Sequence, residues 1–179
     1  MSDRAIDLAH GIETVFRRIE STTMAGVPIL NPALSVRVIG MRPFEAEWLC
    51  VLTTPWFMNL MLLPDVPGES TPAAGTKSTV TFPAGRFEFI QGHGGDIGAY
   101  RSCSLFSPMF EFADQEAAEA TAREILALVT EEHENDAEDR DMVAIWEGRL
   151  PDPPAPVEAP PVLSRRRLFG LGDRGTADS

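Results

Sequence analysis

Cys50 and Cys103 are the two cysteines of the chain, and paired thiolates are the first residues here that could do chemistry: soft-metal binding or electron exchange. They stand 53 residues apart with no C-x-x-C, which excludes zinc-ribbon and thioredoxin patterns. Two thiols leave a zinc site short of ligands, and nothing in the spacing recruits His93 as a third. The plainer reading is two small buried residues on neighbouring strands, because free cysteine is among the most buried residue types. Gly92-His93-Gly94-Gly95-Asp96 looks like a phosphate cradle. It lacks G-x-x-x-x-G-K-[ST] and precedes no helix, so a glycine-rich hairpin turn is expected. Ser102, Ser104 and Ser107 lack a G-x-S-x-G elbow, and the three histidines offer no triad order. No nucleophile has a base positioned on it, so the chain reads as non-enzymatic, with no cofactor.

A second set of residues suits binding rather than reaction. Trp56, Phe57 and Met58 follow Pro55, while Phe106, Met109 and Phe110 surround Pro108. Large apolar residues at strand ends either close a core or, with flexible Met among them, line an adaptable peptide groove. Glu111 and Asp114 open a region, 111–141, that holds 12 acidic residues against 2 basic ones. Such a region is most often a solvated face, yet its carboxylates also suit the guanidinium forks of a basic peptide.

The elements that must position these residues follow from pattern. Ala5, Leu8, Ile12, Val15, Phe16 and Ile19 have helical spacing, which predicts a helix over 3–23 capped by Ser2 or Asp3. Strands are expected at 35–39, at 44–52 with Phe44, Ala46, Trp48, Cys50 and Leu52 on one face, and at 57–63. The apolar run Leu49–Pro64 then forms two buried strands joined by a tight corner at Thr54-Pro55. A hairpin turns at Pro83-Ala84, between strands at 77–82 and 85–91. Residues 92–98 form a turn, and 99–106 is the last strand. A helix capped by Asp114 is expected over 114–129, and a shorter one over 135–147. The expected class is α+β: a mostly antiparallel sheet with an N-terminal helix and C-terminal helices packed on it. Residues 1–150 form one domain; 151–179 are a proline-rich linker, with six prolines between Pro151 and Pro161, and a disordered basic tail.

A net charge of −12 argues against nucleic acid and against an anionic membrane surface, and favours a basic partner. No run approaches the roughly 20 apolar residues of a membrane helix, so no membrane insertion is expected. The N-terminus lacks the charged start and apolar stretch of a secretory signal, which predicts a cytoplasmic protein with free thiols.

Three stretches carry a resemblance. The runs Trp48–Met58 (W-x-C-x-x-T-x-P-W) and Tyr100–Met109 (S-C-S-L-x-S-P-M), with the tail Ser164-Arg165-Arg166-Arg167-Leu168-Phe169-Gly170, resemble the HybE/HupJ/HoxT family of accessory proteins for [NiFe]-hydrogenase maturation. The resemblance implies a cytoplasmic assembly chaperone whose partner is the hydrogenase small-subunit precursor, with its twin-arginine signal peptide and iron–sulfur clusters. The large subunit and other maturation factors are further implied partners. Some members are linked to a rubredoxin domain, whose cysteine pairs this chain lacks. Trp56, Phe57, Met58, Phe106, Met109, Phe110, Glu111 and Asp114 are the expected client-binding residues. Arg165, Arg166, Leu168 and Phe169 look like the core of such a signal. They either fold back on the acidic body or mimic the client in its groove. Two alternatives stand beside this reading: a metal or redox assembly factor using Cys50 and Cys103, and an adaptor joining small and large subunits.

Overall fold

The computed structural model describes residues 2–66, 68 and 71–131. The helix expected over 135–147, the proline-rich linker and the arginine tail lie outside the described residues. Helix α1 (Asp3–Ser21) starts where the Ser2 hydroxyl accepts a hydrogen bond from the Ala5 N–H at 3.3 Å. Its helical spacing gathers Ala5, Ile12, Val15 and Phe16 into one buried stripe. Strands β1 (Arg37–Phe44), β2 (Glu47–Thr53), β3 (Met58–Pro64), β4 (Lys77–Phe82), β5 (Gly85–Gly94) and β6 (Gly98–Phe106) follow. Helix α2 (Gln115–Thr130) is capped by Asp114, whose carboxylate accepts from the Ala117 N–H at 2.8 Å.

The six strands form one antiparallel sheet in the order β1-β2-β3-β6-β5-β4. Successive strand residues face opposite sides, so the continuous apolar run of β2 and β3 feeds two cores. Leu49, Val51, Met58, Leu60 and Leu62 meet Ala118, Ala122, Ile125, Leu126 and Val129 of α2. Cys50, Leu52, Met61 and Leu63 meet the α1 stripe. The sheet is therefore a middle layer between one helix on each face. The Leu49–Pro64 run is two buried strands joined by a corner, as its composition implies.

Several boundaries move. The strand expected from Phe44 to Leu52 is broken by a two-residue turn at Glu45-Ala46, and Phe44 pairs with Glu47. Glu45 adopts φ 53°. Phe44 consequently packs against the α2-side core, whereas Trp48, Cys50 and Leu52 belong to the α1 side. The glycine-rich stretch is shorter as a turn than its composition suggests, because β5 continues through Gly94. Gly92 lies across the ladder from Tyr100, and a Cβ there would meet that ring at 2.6 Å. The glycine thus makes room for an aromatic side chain rather than for a phosphate.

The cysteines are not on neighbouring strands. Cys50 lies on β2 opposite Met61 and faces α1; Cys103 lies on β6 opposite Leu60 and packs against the α2-side core. With β3 between their strands and the sheet between their side chains, they cannot share a metal ion or a disulfide. Neither is in a disulfide.

Candidate functional site

The two proline corners lie side by side at one end of the sheet, because Met58 at the start of β3 pairs with Phe106 at the end of β6. The first corner, Thr54-Pro55-Trp56-Phe57, is organised by one hydroxyl. Thr54 Oγ1 accepts from the N–H groups of Trp56 (3.2 Å) and Phe57 (2.9 Å) and donates to the Phe57 carbonyl (3.0 Å). A buried threonine is affordable here because its polar atoms are fully used. The Ser107 hydroxyl then reaches the Trp56 carbonyl at 3.5 Å, linking the second corner to the first.

After Pro108 the chain makes a tight turn, Met109–Phe112, closed by the Phe112 N–H donating to the Met109 carbonyl at 3.3 Å. Its ends are anchored: Met109 and Phe112 are buried in the α2-side core, and Phe112 meets the Phe106 ring edge-to-face at 5.1 Å. Its tip is not. Phe110 is 58% exposed, and Glu111 beside it is exposed too. Asp114, also exposed, stands at the start of α2.

Asn31, which sequence reasoning passed over, ties this region together. It is buried, and its side-chain amide donates to the carbonyls of Met109 (3.0 Å) and Phe112 (2.9 Å). Its Oδ1 accepts from the Ala33 N–H at 3.0 Å, and its backbone N–H donates to the Pro55 carbonyl at 2.8 Å. One residue from the segment before β1 thereby holds both corners. Its local setting, Ile29-Leu30-Asn31-Pro32, signals only a chain break, so no sequence pattern points to it.

The expected binding residues separate into two groups. Trp56 (8% exposed), Met58 and Met109 are core residues under the surface. Phe57 and Phe106 are half-buried, Phe57 packing edge-to-face on Phe16 at 5.8 Å. Phe110, Glu111 and Asp114 reach solvent. Arg165, Arg166, Leu168 and Phe169 lie outside the described residues.

Nothing else among the described residues suggests chemistry. No group of three or more His, Cys, Asp or Glu side chains could hold a metal ion among them. Burial pushes the Cys50 thiol up to about 12, which keeps it protonated and unreactive. A cleft of about 330 Å³ opens at the opposite end of β2 and β3, where Glu47, Pro64 and Arg101 contribute to its wall. Its two charged side chains, Glu47 and Arg101, are already paired with each other.

A family model described as "[NiFe]-hydrogenase assembly, chaperone, HybE" matches residues 7–171. The chain belongs to this family. This HybE-family chain is 44% identical over 112 residues to the hydrogenase expression/formation protein HupJ of Bradyrhizobium diazoefficiens, a match covering 63% of this chain and 65% of that protein. It is 38% identical over 161 residues to the hydrogenase expression/formation protein HupT of Azotobacter chroococcum, covering 89% and 92%. The solution structure of HybE from Escherichia coli shares the fold, with a TM-score of 0.57 at 22% identity over 68% of this chain and 76% of that one. No helix among the described residues is long and apolar enough to cross a membrane.

Proposed function

We propose that this HybE-family chain is a non-catalytic chaperone that binds the small-subunit precursor of a [NiFe]-hydrogenase in the cytoplasm and holds it until assembly is complete. The observation that carries this reading is the Met109–Phe112 turn, which presents an exposed phenylalanine beside Glu111 and close in sequence to Asp114. A twin-arginine signal joins a basic segment to a mildly apolar one. An aromatic ring on an anchored turn suits the apolar part, and surface carboxylates with no ion pair among the described residues suit the guanidinium groups. Phe106 packs on Phe112 at the end of the turn and Met109 and Met58 lie in the core beneath it, while Trp56 and Phe57 belong to the neighbouring corner on the α1 side. The large subunit and other maturation factors meet the chaperone through the client it carries.

Capture of small-subunit precursor, with and without its signal peptide, tests the proposal. The wild-type chain is expected to retain the signal-bearing form. Phe110→Ala should weaken capture, as should Glu111→Gln combined with Asp114→Asn, which removes two charges but keeps a good helix cap. Equal retention by all three chains would place the client elsewhere.

A further inference from the structure

Asn31 is buried, and its side chain bonds only backbone groups, two of them in a distant segment. Its amide meets the two end carbonyls of the Met109–Phe112 turn, and no other described side chain is shown bonding to either. The residues between those carbonyls are the exposed Phe110 and Glu111. Reversing the amide would put an oxygen against two carbonyls and an NH₂ against the Ala33 N–H, so the orientation is set by its partners. We infer that Asn31 is the positioning residue of the client site: it fixes the turn so that Phe110 and Glu111 are presented in one conformation before the client arrives. The inference rests on the reading of that turn as the client site.

The physical gain is preorganisation. A turn held at both ends loses little conformational freedom on binding, and that cost would otherwise be subtracted from affinity. Burial of Met109 and Phe112 anchors each end of the turn separately. The paired hydrogen bonds fix the ends relative to each other and, through the Pro55 carbonyl, relative to the neighbouring corner. Asn31→Ala deletes the two donated bonds and keeps the backbone bond. Asn31→Asp also keeps the Oδ1 acceptor for Ala33 but sets a carboxylate oxygen against two carbonyls.

The test is a double-mutant cycle on the full chain, with a synthetic twin-arginine signal peptide as probe and amide exchange as a second readout. Phe110→Ala and Asn31→Ala are each expected to weaken binding by about tenfold, the equivalent of one to two lost hydrogen bonds. The double variant should lose less affinity than the two single losses summed, because Asn31 acts in part through the Phe110 that it positions. In Asn31→Ala the Phe112 amide, whose bond to the Met109 carbonyl closes the turn, should exchange faster while the amides of β2 and β3 keep their protection. A merely structural role would not produce that split.

Each other outcome overturns the inference for a distinguishable reason. If Phe110→Ala binds like wild type, the turn is not the client site and the role of Asn31 falls with it. Where Phe110→Ala weakens binding but Asn31→Ala and Asn31→Asp do not, the site stands and Asn31 does not position it. Losses that simply add show Asn31 acting elsewhere. If both Asn31 variants unfold, the residue serves the fold as a whole and not the site.

Discussion

Phe110 and Met109 are chain neighbours with opposite surroundings, and they separate binding from folding. Phe110→Ala removes an exposed ring and should change stability by less than about 0.5 kcal/mol. Met109→Ala empties a fully buried position and should cost about 2–5 kcal/mol. Chemical denaturation of the two variants checks the contrast; a large loss for Phe110→Ala would mean that the ring packs in solution. Cys50 makes a prediction of another kind. Its ordinary value of 9.0 rises to about 12 on burial, so the folded chain holds a proton that the unfolded chain releases above about pH 9. The stabilising contribution is complete below pH 9 and is lost as pH rises through 12, at a slope of up to about 1.4 kcal/mol per pH unit. Tyr100, also raised by burial, adds to the alkaline decline. Denaturation midpoints of wild type and Cys50→Ala between pH 8 and the alkaline limit isolate the thiol: the variant should lose stability less steeply, and parallel curves would refute its burial.

At the scale of elements, Gly40 joins a strand to a helix. It adopts φ 65° at the β1 irregularity, and a Cβ there would lie 2.4 Å from Leu126 of α2. Gly40→Ala combines backbone strain with overpacking and should cost about 2–4 kcal/mol, measured as a fall in the denaturation midpoint. A neutral substitution would show α2 able to move off β1. The elements themselves were legible where their causes are local. Helical spacing and the caps at Ser2 and Asp114 placed both described helices, and the alternation flanking Pro83-Ala84 placed the β4–β5 hairpin. The Glu45-Ala46 turn was missed for a physical reason: a two-residue turn leaves the apolar–polar alternation unbroken in the sequence while reversing the chain. The separation of Cys50 from Cys103 depends on β6 pairing with β3, which no local pattern encodes. Asn31 was illegible for the same reason, since all its side-chain work on the turn is done at long range.

For the whole molecule, the acidic surplus predicts that client binding is salt-sensitive. Raising ionic strength from about 0.1 M to about 1 M shortens the screening length from ~10 Å to ~3 Å, which should weaken signal-peptide affinity. A salt-independent affinity would leave only the aromatic contact. If the arginine tail competes for the same turn, deleting residues 162–179 should strengthen peptide binding, and unchanged affinity would separate tail from site. The topology also bears on when the site comes into being. Strands β3 and β6 are separated by 33 residues, and Asn31 meets Met109 and Phe112 across 78 and 81 residues. Contacts that close long loops form late, because chain entropy is lost before they reward it. On the ribosome the turn has no anchor until residue 112 has emerged and β6 has docked. On the proposed reading of the turn, a nascent chain would carry no working client site, and capture would be reserved for molecules that have completed their own folding.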